Sequence, residues 1–428
     1  MACFLSPTRP SKTIAGLPFR IALIYLVLFS VAVVAYSTLW HEAPVKTNDS
    51  PGYLAVAQDL EDFHLDRLHL RPPGYPLLLL FTGSSRSPSR TLFFVSLLFH
   101  VVSIWLLGAL LSAAGVSSRQ LMAFALVLIL PPFVEPSAFV MPENLIELLL
   151  VSGVAGFVIG TAHGKTSGLV IGAVAFAFSG LVHPTYQLLS VVVAACLGAM
   201  SYWCYWARLE VCKVISGASL LISTFAFLIG GCSLHNYLRF DYPGVTPFIG
   251  YTLSTKTVKV IERLPDDYGA VREALIAARD ADLVKRGSSH TGYSYIWSAQ
   301  RELLRLTGLD EVGLSTYLVR LNLLLIWKAP LHYLHEVVLA ALGFWGPSSG
   351  ALANLGSRVL QVLWGFIEIF LNTAFGIQLA LVSSITPLLL GKRFEASADR
   401  NACNGLRTSR VRTLSYILGI TTPLFFMP

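Results

Sequence analysis

Residues Ile21–Trp40 read Ile-Ala-Leu-Ile-Tyr-Leu-Val-Leu-Phe-Ser-Val-Ala-Val-Val-Ala-Tyr-Ser-Thr-Leu-Trp, and Asn48-Asp49-Ser50-Pro51-Gly52-Tyr53 follows shortly after. At ~1.5 Å rise per residue the apolar run is long enough to cross a bilayer. Further on comes Leu70-Arg71-Pro72-Pro73-Gly74-Tyr75-Pro76. A carboxylate just outside a membrane, then a cation and two prolines, is an arrangement suited to chemistry. Asp49 can accept a proton at the water–lipid boundary, and Arg71 can hold a phosphate by a two-pronged hydrogen bond. An acidic, lipid-linked molecule fits between such groups.

Composition agrees with a membrane setting. Of the 428 residues 54% are hydrophobic and only 13% charged, and the mean hydropathy is +0.65, which is the balance of a polytopic membrane protein. The net charge of +7 lies in short connections and at the ends of the chain. It forms no basic stripe with interleaved aromatics, so nucleic acid is not an expected partner. Five of the six cysteines (Cys3, Cys196, Cys204, Cys212, Cys403) fall in or beside membrane or cytoplasmic segments, and no CxxC spacing occurs. Neither disulfides nor a thiolate metal site is expected.

Arg9, Lys12 and Arg20 precede the first apolar run, which is too long for a signal h-region and is followed by Trp40-His41-Glu42 rather than a small-x-small cleavage site. It reads as an uncleaved first span with the amino terminus inside. Further apolar stretches at 91–114, 120–139, 143–162, 168–182, 185–206 and 214–233 read as spans. Arg119, Lys165, Arg208 and Lys213 mark every second connection as cytoplasmic. The opposite face then receives 41–90, 140–143, 183–184 and 234–328, and with them Asp49, Arg71, Glu143 and His183. Beyond Pro330, 331–345 spans or lies in the interface, 359–390 is one long span or a kinked pair, and 414–427 is a last apolar segment. The fold class is therefore an all-α polytopic transmembrane bundle of about 9–11 spans. Residues 1–233 form its core, 234–328 an extracytoplasmic helical loop subdomain, and 329–428 the carboxy-terminal membrane segments with a basic loop. In 234–328, Asp266-Asp267 opens a helix through Arg286 with Val271, Ala274, Leu275 and Ala278 at helical spacing. A second helix runs from Tyr293 to Leu306 and stops at Gly308, and a third begins near Asp310.

The order of a first span, an acid followed by a tyrosine, and a basic-Pro-Pro turn resembles the GT-C glycosyltransferases. These use polyprenyl- or dolichyl-phosphate-linked sugars and include the protein mannosyltransferase and aminoarabinose transferase families. Pro142-Glu143-Asn144-Leu145, Gly180-Leu181-Val182-His183-Pro184 and Trp327-Lys328-Ala329-Pro330-Leu331-His332-Tyr333-Leu334 add to the likeness, which covers roughly residues 15–345. The resemblance implies that Asp49 is the base that takes the acceptor's proton. It implies that Arg71, where the family often has Lys, holds the leaving lipid phosphate. Glu143 joins Asp49 in the catalytic site, with Glu135 as its competitor, and His183 belongs to the donor phosphate pocket. Tyr53, Tyr75, Asn236 and Arg239 line the substrate pocket, with Tyr242, Phe248 and Tyr251 after the last long span. Each has a plainer alternative: Asp49 as a helix cap before Pro51, Arg71 as a headgroup anchor, Glu143 as a partner of the helix dipole, His183 as a polar tip in the headgroup region. Asp62, His64, Asp66 and His69 read as a solvated polar face rather than a metal site.

The leading expectation is an enzyme that moves a sugar from a polyprenyl-phosphate carrier to a glycan, lipid or protein acceptor. It would do so on the extracytoplasmic side of a bacterial inner membrane, or alternatively of the endoplasmic reticulum. No cofactor is called for, and a divalent metal stays open. A transporter or flippase of lipid-linked sugars should show internal repeats, broken helices and buried charges. Only Glu147 and Glu368 lie inside apolar runs, and no repeat is evident. A non-catalytic lipid-binding relative is the third alternative.

Overall fold

The computed structural model describes residues 27, 29–30, 43–65, 68, 70–113, 116, 118–129, 134–206, 211–286 and 295–344. Of the expected span Ile21–Trp40 only residues 27 and 29–30 are described, and they are helical; the expected spans at 359–390 and 414–427 and the basic loop lie outside the described residues. Among the described residues 82% are helical and no strand occurs, as the all-α reading expects. Among the described residues three helices are long and apolar enough to cross a membrane: Arg90–Ser112, Glu143–Thr161 and Val214–Phe240. Two shorter apolar helices, Thr166–Val182 and Thr185–Ala199, lie between the second and third. The described residues fall into two compact units, the first ending at Ile229 and the second comprising Leu68–Arg71 and the chain from Gly230.

In the first unit, α1 (Ser50–Glu61) and α2 (Gly74–Phe81) are short, and Pro51 opens α1. The longer helices are α3 (Arg90–Ala113), α4 (Ser118–Leu128), α5 (Glu143–His163), α6 (Thr166–Val182), α7 (Thr185–Trp206) and α8 (Val211–Phe240). The expected single span over 120–139 is corrected. α4 stops at Leu128 and Glu135–Ala138 is a separate 3-10 turn. Pro131, Pro132 and Pro136 remove the amide donors that a continuous helix there would need.

The α5–α6 pair is the tightest contact of this unit. Gly164, in a left-handed conformation (φ 67°), ends α5. A Cβ on Gly156 would lie 2.5 Å from Gly172 N and 2.7 Å from Gly168 O, and one on Gly168 would lie 2.7 Å from Gly160 N. The two backbones meet because these positions carry no side chain, the small-residue packing of membrane helices. Phe157 and Phe176 stack alongside at 5.8 Å. Between α3 and α5, His100 Nδ1 lies 2.7 Å from Glu147 Oε2, and His100 Nε2 lies 2.9 Å from Leu128 O. A carbonyl only accepts, so Nε2 carries a proton. One further proton is then shared between Nδ1 and Glu147. The pair has no net charge wherever that proton sits, which makes it tolerable between two apolar helices.

The second unit holds the end of α8 with α9 (Ile249–Thr257), α10 (Gly269–Arg286), α11 (Tyr295–Thr307), α12 (Glu311–Lys328) and α13 (Pro330–Phe344). Its core joins Val258, Ile261, Leu275, Ile296, Leu303, Leu318 and Leu325. The sequence expects the three helices α10 to α12 at these places. Gly308 (φ 66°) follows α11, and Asp310 caps α12 by accepting from Gly313 N at 2.7 Å. The boundary at 233 shifts, since α8 runs to Phe240 and carries Asn236 and Arg239 on its last turns. Residues 331–345, left open between spanning and interfacial, form α13 through Phe344, and its Glu336 pairs with Lys259 at 2.8 Å.

Asn322 of α12 is buried and bridges to α9. Its amide donates to Gly250 O at 3.0 Å and Ser254 Oγ at 2.9 Å, and its carbonyl accepts from the Thr257 hydroxyl. Asn322→Ala strands these groups in an apolar core, at about 1–3 kcal/mol per unpaired group. The thermal unfolding midpoint in detergent should fall by several degrees. An unchanged midpoint would show that water replaces the amide without loss.

Candidate functional site

The first unit brings together residues distant in sequence at the amino-terminal end of α5. The chain before α1 is stitched to the chain before α5. Val45 N donates to Ala138 O (2.8 Å) and Val140 N to Val45 O (3.0 Å), and Val45 and Phe139 form a parallel bridge. The buried Ser50 hydroxyl donates to Val140 O at 3.1 Å and accepts from Thr47 N at 2.7 Å. Asn144 holds the other side, donating to Ser137 Oγ (2.7 Å) and Ser96 O (3.2 Å). Asp49 and Glu143 are thereby brought close enough to repel each other.

Asp49 occupies the N-cap position of α1, but its side chain makes no capping hydrogen bond. The capping alternative therefore does not account for the carboxylate. Glu143 opens α5 directly after Pro142. Its side chain is exposed. Tyr75 and Tyr186 both feel the charge of Glu143. Tyr53 and Tyr75 are buried and meet edge to face at 5.1 Å. Burial pushes the Tyr75 phenol well above its ordinary value. Its hydroxyl makes no hydrogen bond of ordinary geometry, with the amide of Met141 its near neighbour. The two tyrosines are thus part of the hydrophobic core rather than exposed contacts.

His183 ends α6 in an extended conformation before Pro184. Its Nδ1 accepts from Thr185 N at 3.4 Å, and its ring lies 6.0 Å from that of Tyr186, nearly perpendicular. Gly74 sets α2 against the end of α6. A Cβ there would lie 2.7 Å from Leu181 O, so only glycine allows the approach that brings Tyr75 to this end of the helices.

Of the expected site residues, Asp49, Glu143, His183, Tyr53 and Tyr75 belong to the first unit, and Arg71, Asn236 and Arg239 to the second. Arg71 lies with its guanidinium 4.9 Å from the ring centre of Phe248. Arg239 is exposed on the last turn of α8. Asn236 is fully buried, and its amide donates to Gly244 O (2.8 Å) and Val245 O (3.0 Å), which closes the turn after α8. Glu135 opens the 3-10 turn before α5. Among the described residues no group of His, Cys, Asp and Glu has the arrangement of a metal site.

Sequence reasoning missed Tyr186 and the bridge at Val45. Tyr186 sits three residues after His183 in the first turn of α7 and had a signal in that spacing. The bridge, a single backbone pairing, had none. No protein-family model, curated protein or solved structure matches the chain.

Proposed function

We propose that this chain is an integral membrane glycosyltransferase of the GT-C kind, moving a sugar from a polyprenyl-phosphate carrier to an acceptor on the extracytoplasmic face. The observation that carries the reading is the pairing of Asp49 and Glu143, whose charge also reaches Tyr75 and Tyr186. In the proposed reaction Asp49 accepts the proton of the acceptor hydroxyl while that oxygen bonds to the anomeric carbon. The bond from that carbon to the phosphate oxygen breaks, and the electron pair leaves with the phosphate. Glu143 orients the acceptor by a hydrogen bond. Arg71, in the second unit, is assigned to phosphate binding on the basic-Pro-Pro resemblance alone.

Purified protein in liposomes, given labelled polyprenyl-phosphate sugar and envelope acceptors, should release free polyprenyl phosphate and label the acceptor. Movement of intact lipid-linked sugar between leaflets without release would overturn the reading in favour of a transporter.

The side on which the second unit sits is checked separately. Val284 is 88% exposed on α10, and Val284→Cys should react with an impermeant thiol reagent in intact spheroplasts. Reaction only after permeabilisation would place that unit in the cytoplasm.

A further inference from the structure

The second unit carries an aromatic shelf. Tyr251 and Trp297 stack in parallel, 4.8 Å apart and 7° from coplanar. Phe248 meets Trp297 edge-on at 5.7 Å. Tyr251 is 1% exposed, whereas Trp297 is 44% exposed. With one indole face on Tyr251 and an edge against Phe248, the open area of Trp297 is mainly its outer face. A tryptophan needed only for packing would turn that face inward. Phe248 also receives the Arg71 guanidinium, so a cation and an indole flank the same ring. Gln300 Nε2 reaches to 3.5 Å from Tyr251 Oη. Burial, with the charges of Glu311 and Asp310 adding to it, pushes the Tyr251 phenol up to about 12.

A half-exposed indole, a cation on the neighbouring ring and an amide within reach form a recognisable set. Sugar C–H bonds pack on aromatic faces, sugar hydroxyls bond to an amide, and a phosphate takes the guanidinium. We infer that Trp297, Phe248 and Arg71 form a shelf for a hexose joined to phosphate. The shelf deepens the glycosyl-transfer reading and rests on it only for the lipid carrier.

The test uses the full chain in detergent and three probes: polyprenyl phosphate, its glucose ester, and water-soluble glucose 1-phosphate. The glucose ester should bind about three- to tenfold more tightly than bare polyprenyl phosphate. Trp297→Ala should erase that difference while leaving the affinity for the bare lipid unchanged, and Trp297→Phe should keep most of it. Arg71→Ala should weaken binding of all three probes. Persistence of the difference in Trp297→Ala, or an equal loss for both lipids, would overturn the shelf. If no lipid binds while glucose 1-phosphate binds in a Trp297-dependent way, the shelf stands and the lipid-carrier reading falls. If glucose 1-phosphate does not bind either, the shelf falls too.

Discussion

Asp49→Asn should lower sugar transfer by roughly 10²-fold or more while folding and donor binding persist, because a general base contributes on that order. The substitution keeps the size of the side chain and removes its ability to hold the acceptor's proton. Asn caps helices about as well as Asp, and the Asp49 side chain makes no capping hydrogen bond to lose. Ser50 and Val45 hold this segment in place through their own hydrogen bonds. A fall in activity with an unchanged unfolding midpoint would therefore report proton transfer rather than damage to the fold. Transfer by the Asn variant at the rate of the unmodified protein would remove Asp49 from the mechanism. If instead Glu143→Gln alone showed the large loss, the base would be Glu143.

How much of this was legible in the sequence depends on the range of the interaction. The helices of the second unit could be placed from Gly308, Asp310 and the spacing of Val271, Leu275 and Ala278, because caps and periodicity act within a few residues. The ends of α5 and α6 were marked by Pro142 and Pro184 for the same reason. Long-range features were not legible. The bridge between Val45 and Phe139 joins two stretches with no strand pattern, and it is what places Asp49 beside Glu143. Asn236 reads as a pocket residue beside aromatics, and its amide holds the carbonyls of Gly244 and Val245. A polar side chain that closes a turn cannot be told from one that meets a ligand until the turn is seen. The stop of α4 at Leu128 was open to reading, since Pro131, Pro132 and Pro136 stood inside an expected span.

The α5–α6 contact gives a sign that separates local propensity from packing. Alanine is a better helix former than glycine by about 1 kcal/mol, so on propensity alone Gly156→Ala should stabilise α5. Packing opposes this, since the new Cβ would sit 2.5 Å from the Gly172 nitrogen and 2.7 Å from the Gly168 oxygen. Both are backbone atoms of α6 and cannot rotate away, so the two helices must separate. Overpacking of this kind costs about 1–3 kcal/mol, and more where nothing flexible yields. The contacts of Phe157 with Phe176 would loosen with it. Gly156→Ala should accordingly lower the unfolding midpoint in detergent, and Gly156→Val should lower it further or prevent accumulation of folded protein. Gly198 on α7 is the control, since a Cβ there would meet nothing within 4 Å. Gly198→Ala should leave the midpoint unchanged or raise it slightly. If the two alanine variants behaved alike, the close approach of α5 and α6 would be wrong, and with it the packing that supports α5 behind Glu143.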